Sequence, residues 1–278
     1  MQIIQLKRII GPDDPDTICD ALALHSGLSK VRIKKAINCG AVWLDRSDAK
    51  SRRIRRATTR LKQGDRVSLY YDESILSQVP PKAHCIRDMK AYSVWFKPAN
   101  LMTQGTRFGD HGALTRQVER HFTPRRNVFL VHRLDRETSG LVIMAHNRRS
   151  AALLSEMFRS RKVHKTYQAW VLGDLGSTKS EGTIDLQLDA RRAVTRYALK
   201  KFDASINQSL VRVTPVTGRR HQIRRHFDLI GHPVMGDPRY GHGNKNKSGL
   251  RLSAVGLAFE CPLGNGPIKI TIDGTDIK

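Results

Sequence analysis

The spacing of apolar residues predicts a small module of helices and strands in the first part of the chain. Helical spacing and short apolar runs predict helices at 15–25 and 30–37 and strands at 41–44 and 66–71. Ser29 stands directly before the second helix as an N-cap, and Gly40 follows that helix as a residue suited to a left-handed cap. We therefore predict a small α/β domain over residues 1–75.

The pattern changes after a stretch that contains two prolines. Pro80 and Pro81 favour a stiff, extended connection, so residues 76–88 are predicted to form a linker. Beyond it, apolar runs predict strands at 92–96, 128–131, 141–145, 166–171, 210–213 and 268–272. Helical spacing occurs between them, at 114–121, 150–159 and 221–230. Because strands and helices alternate irregularly, residues 89–278 are predicted to form an α+β domain on a mixed or antiparallel sheet.

The charge of the chain points to a polyanionic partner. The 278 residues include 49 Lys and Arg against 25 Asp and Glu, which gives a formal charge of +24 at pH 7. Such an excess makes nucleic acid the leading partner. An anionic membrane surface is a weaker alternative, because the basic residues are spread along the chain and do not gather on one amphipathic helix. No apolar stretch is long enough to span a membrane and the N-terminus is too charged for a signal peptide, so we expect a soluble, cytoplasmic protein.

The cysteines and histidines do not predict a metal site. The cysteines lie far apart, without disulfide or zinc-ligand spacing, and are predicted to be small buried residues. They are Cys19, Cys39, Cys85 and Cys261. His132, His221 and His226 have no cysteine or carboxylate at ligand spacing, so we expect no bound metal.

A charged cluster between two apolar runs is the leading candidate for chemistry. Asp135 is flanked by Arg133 and Arg136 within residues 131–145. The adjacent guanidinium groups favour the ionised carboxylate, and an ionised, positioned aspartate can act as a nucleophile. An aspartate in this setting can also cap a turn or form a structural ion pair, and the residues by themselves favour this structural role. The catalytic role stays open.

Further segments along the chain carry a family resemblance. The segments 132–141, 165–171, 217–226 and 231–241 resemble, in the same order, the motifs of the RluA family of pseudouridine synthases. This resemblance covers residues 89–265. Residues 14–71, with the basic helix and the turn before the second strand, resemble an S4 RNA-binding domain.

The resemblance implies a reaction and a set of site residues. The reaction is the isomerisation of uridine to pseudouridine in RNA, without a metal or organic cofactor. Asp135 is implied as the catalytic carboxylate, as nucleophile or as acid–base group; Tyr167 as a stacking residue that could also deprotonate C5; and Arg224 as the ion-pair partner of Asp135. Leu141 and Ile223 are implied as pocket walls, with a core role equally consistent. The predicted RNA-binding residues are Arg133, Arg136, Lys165, Arg219, His221, Lys30, Arg32, Lys34, Arg52 and Arg53.

Departures from the family pattern mark a divergent member and leave the RNA target open. Asn100 replaces a glycine in a turn, Arg220 replaces a threonine or serine, and Ser253 replaces a histidine. Large-subunit ribosomal RNA is the preferred substrate and transfer RNA the alternative, and a monomer is expected. The competing functions are a non-catalytic RNA- or ribosome-binding protein and a hydrolase that pairs Asp135 with His132.

Overall fold

The computed structural model describes residues 2–46, 49–177 and 180–273. The chain divides into two compact units. The first unit comprises Met1–Pro81 and Gln104–Thr123, and the second comprises Lys82–Thr103 and Pro124–Lys278. The first unit is therefore made of two separate segments of the chain, the second of which is Gln104–Thr123.

The first unit packs helices on one face of an antiparallel sheet. Its elements are β1 (Ile3–Ile9), α1 (Ile18–Ser26), α2 (Lys30–Cys39), β2 (Val42–Arg46), β3 (Ala49–Arg53), β4 (Arg66–Asp72), α3 (Glu73–Leu76) and α4 (Leu114–His121). The strand order is β1-β4-β2-β3. Alternate strand residues such as Val42, Leu44 and Leu69 join Ile33 and Ile37 of α2 in the core, because successive side chains of a strand point to opposite faces.

The caps of α2 confirm the sequence prediction. The Ser29 hydroxyl accepts a hydrogen bond from the Arg32 amide, and Gly40 adopts a left-handed conformation with φ of 80°. The N-cap of α1 was not predicted: Thr17 accepts from the Asp20 amide and in turn donates its hydroxyl proton to the Asp20 carboxylate at 2.6 Å.

The segment Gln104–Thr123 belongs to the first unit, whereas the sequence prediction assigned it to the larger domain. Arg55 forms an ion pair with Asp110, whose amide donates to the carbonyl of Cys39 at 2.9 Å. The indole N–H of Trp43 donates to the carbonyl of Arg107 at 3.1 Å. These partners lie more than fifty positions apart, so local periodicity could not reveal that the segment packs with the first unit.

The second unit is built on one mixed sheet. Its elements are β5 (His84–Asp88), β6 (Tyr92–Lys97), β7 (Phe129–Leu130), β8 (Ser139–Ala145), α5 (Arg148–Arg159), β9 (His164–Leu172), β10 (Glu181–Leu188), β11 (Arg191–Asp203), β12 (Gln208–Pro215), α6 (Gln222–Leu229), β13 (Leu252–Glu260) and β14 (Pro267–Thr271). The strand order is β10-β11-β12-β9-β13-β8-β6-β5, with β14 on β13 and β7 on β8. Only the β8–β13 pair is parallel among the described pairs, so the predicted α+β class on a mixed sheet is confirmed.

The sequence prediction missed several strands of this sheet. Residues 84–88, predicted as part of the linker, form β5 against β6. The hairpin of β10 and β11 was also missed, because its outward residues are polar and charged and leave few apolar alternations to detect. Strand β13 was missed because it is buried on both faces and lacks an alternating pattern.

Gly140 permits the close approach of β8 to β13. It adopts φ of 118°, and a Cβ at this position would collide with the backbone of Ala254, its partner in the parallel pairing. The candidate catalytic loop precedes β8 directly, so this contact fixes the place where the loop ends. No helix within the described residues is long and apolar enough to cross a membrane.

Candidate active site

Hydrogen bonds from the end of β6 and from the turn after it hold the loop between β7 and β8, which carries Asp135. The buried ammonium of Lys97 donates to the carbonyls of Pro98, Leu101 and Arg136, at 3.0, 2.7 and 3.1 Å. Burial lowers the pKa of Lys97 to about 7, although the charges of Asp135 and Glu137 oppose the shift. These bonds hold the loop backbone beside the aspartate in one conformation.

The turn after β6 keeps its shape despite the missing glycine. Asn100 adopts φ of 64°, a left-handed conformation that asparagine tolerates better than most residues. The Thr103 hydroxyl, just beyond it, donates to the carbonyl of Leu134 at 2.7 Å and accepts from its amide at 3.2 Å. The chain on either side of Asp135 is therefore tied to this turn.

His132 supports the loop as a neutral residue. Its Nε2 accepts a hydrogen bond from the Ile143 amide at 3.0 Å, and its ring stacks on Phe158 with centroids 4.1 Å apart. Burial, together with the charge of Lys165, lowers the pKa of His132 to about 3. With Nε2 committed to an amide, the ring is placed to orient the loop.

Asp135 is partly exposed and faces two basic side chains of the segment around α6. One of its carboxylate oxygens lies 3.7 Å from Nε2 of His221, and the other lies 3.5 Å from a guanidinium nitrogen of Arg224. The predicted pairing of Arg224 with Asp135 is therefore present, at a distance longer than a direct hydrogen bond.

Arg224 makes its tightest contacts with a different carboxylate. The guanidinium is buried and donates two hydrogen bonds to Asp237, at 2.6 and 2.8 Å. Its remaining terminal nitrogen lies 3.4 Å from Glu137 as well as near Asp135. Asp237 is fully buried. Burial alone would raise the pKa of Asp237, but the bonds from Arg224 and from the amides of Arg239 and Tyr240 hold it below its usual range.

His221 is held in an unusual backbone conformation. It is the residue before α6 and has φ of 53°, which few residues other than glycine adopt. Its Nδ1 lies 2.9 Å from the hydroxyl of Tyr240, and Nε2 faces Asp135. Burial lowers the pKa of His221, and the Asp135 carboxylate opposes that shift. Backbone strain of this kind often occurs at functional sites.

Gln222 anchors the start of α6. Its carbonyl oxygen accepts from the Thr217 hydroxyl at 2.7 Å and from the Arg219 amide at 3.0 Å. Its amide nitrogen donates to the Val194 carbonyl and the Thr195 hydroxyl, both at 2.9 Å. The buried amide is thus satisfied on both sides and fixes the segment that supplies His221 and Arg224.

Tyr167 lies on the central strand β9, between β12 and β13. Burial, and then the charge of Asp135, raises the pKa of Tyr167, so the phenol is protonated at neutral pH. Lys165, two positions earlier on the same strand, has a pKa lowered by burial. Both residues line the same cavity.

This cavity has a volume of about 370 Å³, within the range of small-molecule sites. The loop before β8, strand β9, the segment leading into α6 and Leu252 of β13 line it. The lining residues predicted from sequence are Arg133, Asp135, Lys165, Tyr167, Arg219, His221, Ile223 and Arg224.

Other predicted residues lie elsewhere. Leu141 is fully buried in the core formed by β6, β8 and α5, and the cavity takes its apolar walls from Leu134, Ile223 and Leu252. Of the two roles left open for Leu141, the structure gives it the core role, because β8 is buried on both faces. Arg136 is exposed and does not line the cavity.

In the first unit, Lys30, Arg32, Lys34 and Arg52 are exposed. Arg53 is less exposed, since its guanidinium donates to the carbonyl of Gly40 and lies 4.3 Å over the ring of Trp43. These contacts give Arg53 a structural role, and its role in phosphate binding stays a prediction.

The described residues contain no group of three or more His, Cys, Asp or Glu side chains placed to hold a metal. His226 is buried, with Nδ1 2.9 Å from the Thr195 hydroxyl and Nε2 3.2 Å from the Leu186 carbonyl. It serves the packing of α6 against β10 and β11.

Comparison with known families identifies the family to which the residues of this site belong. Residues 91–229, which are half of the chain and contain the loop, β9 and α6, match the family model described as RNA pseudouridylate synthase. The chain belongs to this family. It is an RNA pseudouridine synthase, and thus an isomerase.

Relatives of the synthase match between 41% and 84% of its length. An uncharacterised RNA pseudouridine synthase of Aquifex aeolicus is 29% identical over 255 residues, covering 84% of this chain and 78% of that protein. The tRNA pseudouridine synthase C of Pasteurella multocida is 34% identical over 52% of this chain and 72% of its own length. The ribosomal large subunit pseudouridine synthase C of Rickettsia bellii is 41% identical over 41% of this chain and 42% of its own length.

The fold of the synthase matches a solved structure. The human protein described as RNA pseudouridylate synthase domain containing 1 superposes with a TM-score of 0.58 at 22% identity. The match covers 69% of this chain and 83% of that one.

Sequence reasoning missed the supporting residues of the synthase site. Glu137 was not singled out, and Asp237 and Tyr240 fell within the motif segment 231–241 without an assigned role. Their position in that motif was the available signal, but the contacts that give them roles cross between the loop, α6 and the segment after it.

Proposed function

We propose that this synthase is an RluA-type enzyme in which Asp135 is the catalytic carboxylate acting on uridine in large-subunit ribosomal RNA. The observation that carries the proposal is the position of Asp135 at the cavity, facing Arg224 and His221 while Tyr167 lines the same cavity. A carboxylate at the wall of this cavity is positioned for attack on C1′ of the ribose or for proton transfer at the sugar.

The remaining cavity residues support binding of an extruded uracil. A base that reacts must leave its stack and enter a pocket, at a cost of a few kcal/mol. Leu134, Ile223 and Leu252 offer apolar walls, and Tyr167 offers a ring for stacking. Because the Tyr167 phenol is protonated at neutral pH, stacking is the role we favour over deprotonation of C5.

Basic residues at the cavity suit the phosphates on either side of the flipped nucleotide. Arg133 and Arg220 are exposed and line the cavity, and Arg219 is held there by a hydrogen bond from its Nε to the Arg192 carbonyl at 3.1 Å. We assign Arg133 to the space that the base vacates. Lys165, with its charge close to the pocket interior, completes the anion-binding side.

Ribosomal RNA is the substrate we favour, with transfer RNA as the alternative. Ribosomal RNA is supported by the resemblance of the first unit to an S4 domain, with Lys30, Arg32, Lys34 and Arg52 exposed for docking. The large-subunit name of one relative agrees with it. Transfer RNA is supported by the name of another relative and by the doubled arginine–histidine segment at 219–226.

A hydrolase that pairs Asp135 with His132 has less support. The His132 ring nitrogen that would act as a base accepts the Ile143 amide, and the ring is neutral and stacked on Phe158. A non-catalytic binding protein would not need the buried Arg224–Asp237 pair to aim a guanidinium at Asp135.

The test is pseudouridine mapping of total RNA from cells that lack the gene. We expect one or more sites in ribosomal RNA to disappear, to return with the wild-type gene, and to stay absent with Asp135→Asn. That substitution keeps the size of the side chain, so RNA binding should change little, while activity falls to background. Lys269→Gln, at an exposed position of β14, is the control that should restore the sites. Pseudouridine formed by Asp135→Asn would overturn the role of Asp135, and sites missing only from transfer RNA would replace the proposed substrate.

A further inference from the structure

The outer face of the first unit's sheet carries a basic trough with an aromatic wall. The register aligns Lys7 of β1, Ser68 of β4, Trp43 of β2 and Arg53 of β3 in one row across the sheet. Neighbouring positions such as Leu44 and Leu69 point to the helices and the core, so this row faces away from them. Serine between lysine and tryptophan leaves a depression in the middle of the row.

The depression is large enough for a nucleotide. Its volume is about 670 Å³, within the range of ligand sites. Trp43 and Tyr70 line it together with Lys7, Arg66, Arg107 and Asp45. Arg8 and Ser51 also contribute, and Arg8 additionally pairs with Asp14 at 3.4 Å.

The aromatic side chains are held in place before any ligand binds. The indole N–H of Trp43 donates to the Arg107 carbonyl, and the Arg53 guanidinium lies over its ring. Tyr70 contacts Phe108 edge to face, with centroids 5.7 Å apart, and the Arg107 guanidinium lies 5.9 Å from the Tyr70 ring. A fixed ring loses little conformational entropy when a base stacks on it, which favours binding.

One polar atom in the trough lacks a partner. Oδ1 of Asp45 is buried and has no hydrogen-bond partner within the described part of the chain. A buried acceptor without a donor costs about 1–3 kcal/mol. Because Oδ1 has no exposed surface, the Asp45 carboxylate would have to turn towards the trough before an N–H group on the edge of a base could satisfy it.

We propose that this trough binds an unpaired nucleotide of RNA, with the base against Trp43 and its phosphates on Lys7, Arg66 and Arg107. The inference rests on the proposed function for RNA as the substrate class, but it assigns a site of its own within the first unit. Exposed cations select a polyanion, and the aromatic wall selects a strand whose bases are free to stack. In a duplex the faces of the bases are already stacked, so a duplex could contact only the cationic side chains of the trough.

The test measures binding of the full-length protein to a fluorescently labelled single-stranded oligoribonucleotide and to the duplex of the same sequence. Base stacking on an aromatic side chain predicts that Trp43→Ala weakens single-strand binding about 5- to 100-fold. Trp43→Phe should retain most of the affinity, and duplex binding should change much less than single-strand binding. Unchanged single-strand binding by a folded Trp43→Ala protein, or equal weakening for strand and duplex, would overturn the inference.

A charge variant gives an independent measure. Lys7→Gln combined with Arg66→Gln should reduce the slope of log affinity against log salt by about 0.7 for each phosphate that the protein no longer neutralises. Lys62→Gln, which removes an exposed charge of the same unit outside the trough, should leave the slope nearly unchanged. If Trp43→Ala fails to fold in thermal melting, this pair decides the question, and a slope equal to that of wild type overturns the site.

This experiment measures binding and needs no catalytic turnover. It can therefore contradict the trough site without contradicting the proposed function, and the reverse. Loss of binding in the trough variants would support this site even if the wild-type protein formed no pseudouridine. Normal binding in those variants, beside a synthase inactivated by Asp135→Asn, would overturn the trough alone. Equal competition by an acidic peptide at the same ionic strength would also overturn it.

Discussion

At the residue scale, the candidate site depends on how one buried arginine distributes its hydrogen bonds. Asp237 takes the two short bonds of Arg224, and the terminal nitrogen that remains faces Asp135 and Glu137 at longer distance. A lysine could not make this arrangement, because it is a point charge without a planar fork. The fixed pair thus leaves Asp135 near positive charge at the wall of the cavity.

The shielded ring of His132 predicts a pH dependence of stability. Its pKa is about 3 in the folded protein and 6.5 for an unperturbed histidine, so the unfolded chain binds the proton more readily. Stability from this residue is complete above pH 6.5 and decreases as pH falls from 6.5 towards 3, by about 1.4 kcal/mol per pH unit at most.

Urea unfolding followed across this pH range tests the effect. We expect His132→Gln, which keeps an acceptor for the Ile143 amide, to be less stable at neutral pH but to have a flatter dependence. His164→Gln removes an exposed histidine of the same unit and should keep the wild-type slope. Parallel pH profiles for wild type and His132→Gln would contradict the prediction.

At the scale of elements, the parallel contact of β8 with β13 depends on Gly140. Alanine there must adopt a φ of 118° and also collides with the Ala254 backbone. The first effect costs about 1–2 kcal/mol, and overpacking adds about 1–3 kcal/mol. We expect Gly140→Ala to lower the free energy of unfolding by the sum and to reduce isomerase activity, since the Asp135 loop enters β8.

A second glycine separates the two costs. Gly264 adopts φ of 83° but has open space around its missing Cβ. Gly264→Ala should therefore show only the backbone contribution, and chemical denaturation of the two variants measures the difference. If both variants lost the same free energy of unfolding, the collision with β13 would contribute nothing, and the prediction for Gly140 would be wrong.

At the scale of the whole molecule, we expect the charge of +24 to make RNA binding strong and sensitive to salt. Helix α2 exposes Lys30, Arg32 and Lys34, although Lys30 pairs with Asp20 at 2.6 Å and Arg32 lies 3.5 Å from Glu73. Changing all three to glutamine should weaken binding and lower the salt slope by about 0.7–0.9 for each phosphate left without a cationic partner.

Filter binding to ribosomal RNA over a series of salt concentrations measures this slope. Lys269→Gln, which removes a charge from β14, is the comparison for a surface lysine outside the predicted docking helix. A slope equal to wild type in the triple variant would show that α2 does not contact phosphate.

The sequence by itself determined the local structure and the chemical candidates. Capping by Ser29 and Gly40, the apolar periodicity of α2 and α5, and the α+β class follow from interactions between near neighbours, which a pattern records directly. The order of motifs also brought Asp135, Tyr167 and Arg224 together as candidates, and all line one cavity.

Only the tertiary structure decided which partners those residues have. In the folded protein Arg224 binds Asp237 and Leu141 lies in the core. Arg53 lies over the ring of Trp43, and Gln104–Thr123 packs with the first unit. Each of these depends on contacts between residues far apart in the chain, whose distance and burial set their energy. A charged side chain has the same sequence pattern whether it faces solvent or a buried carboxylate, so its role follows from the fold that surrounds it.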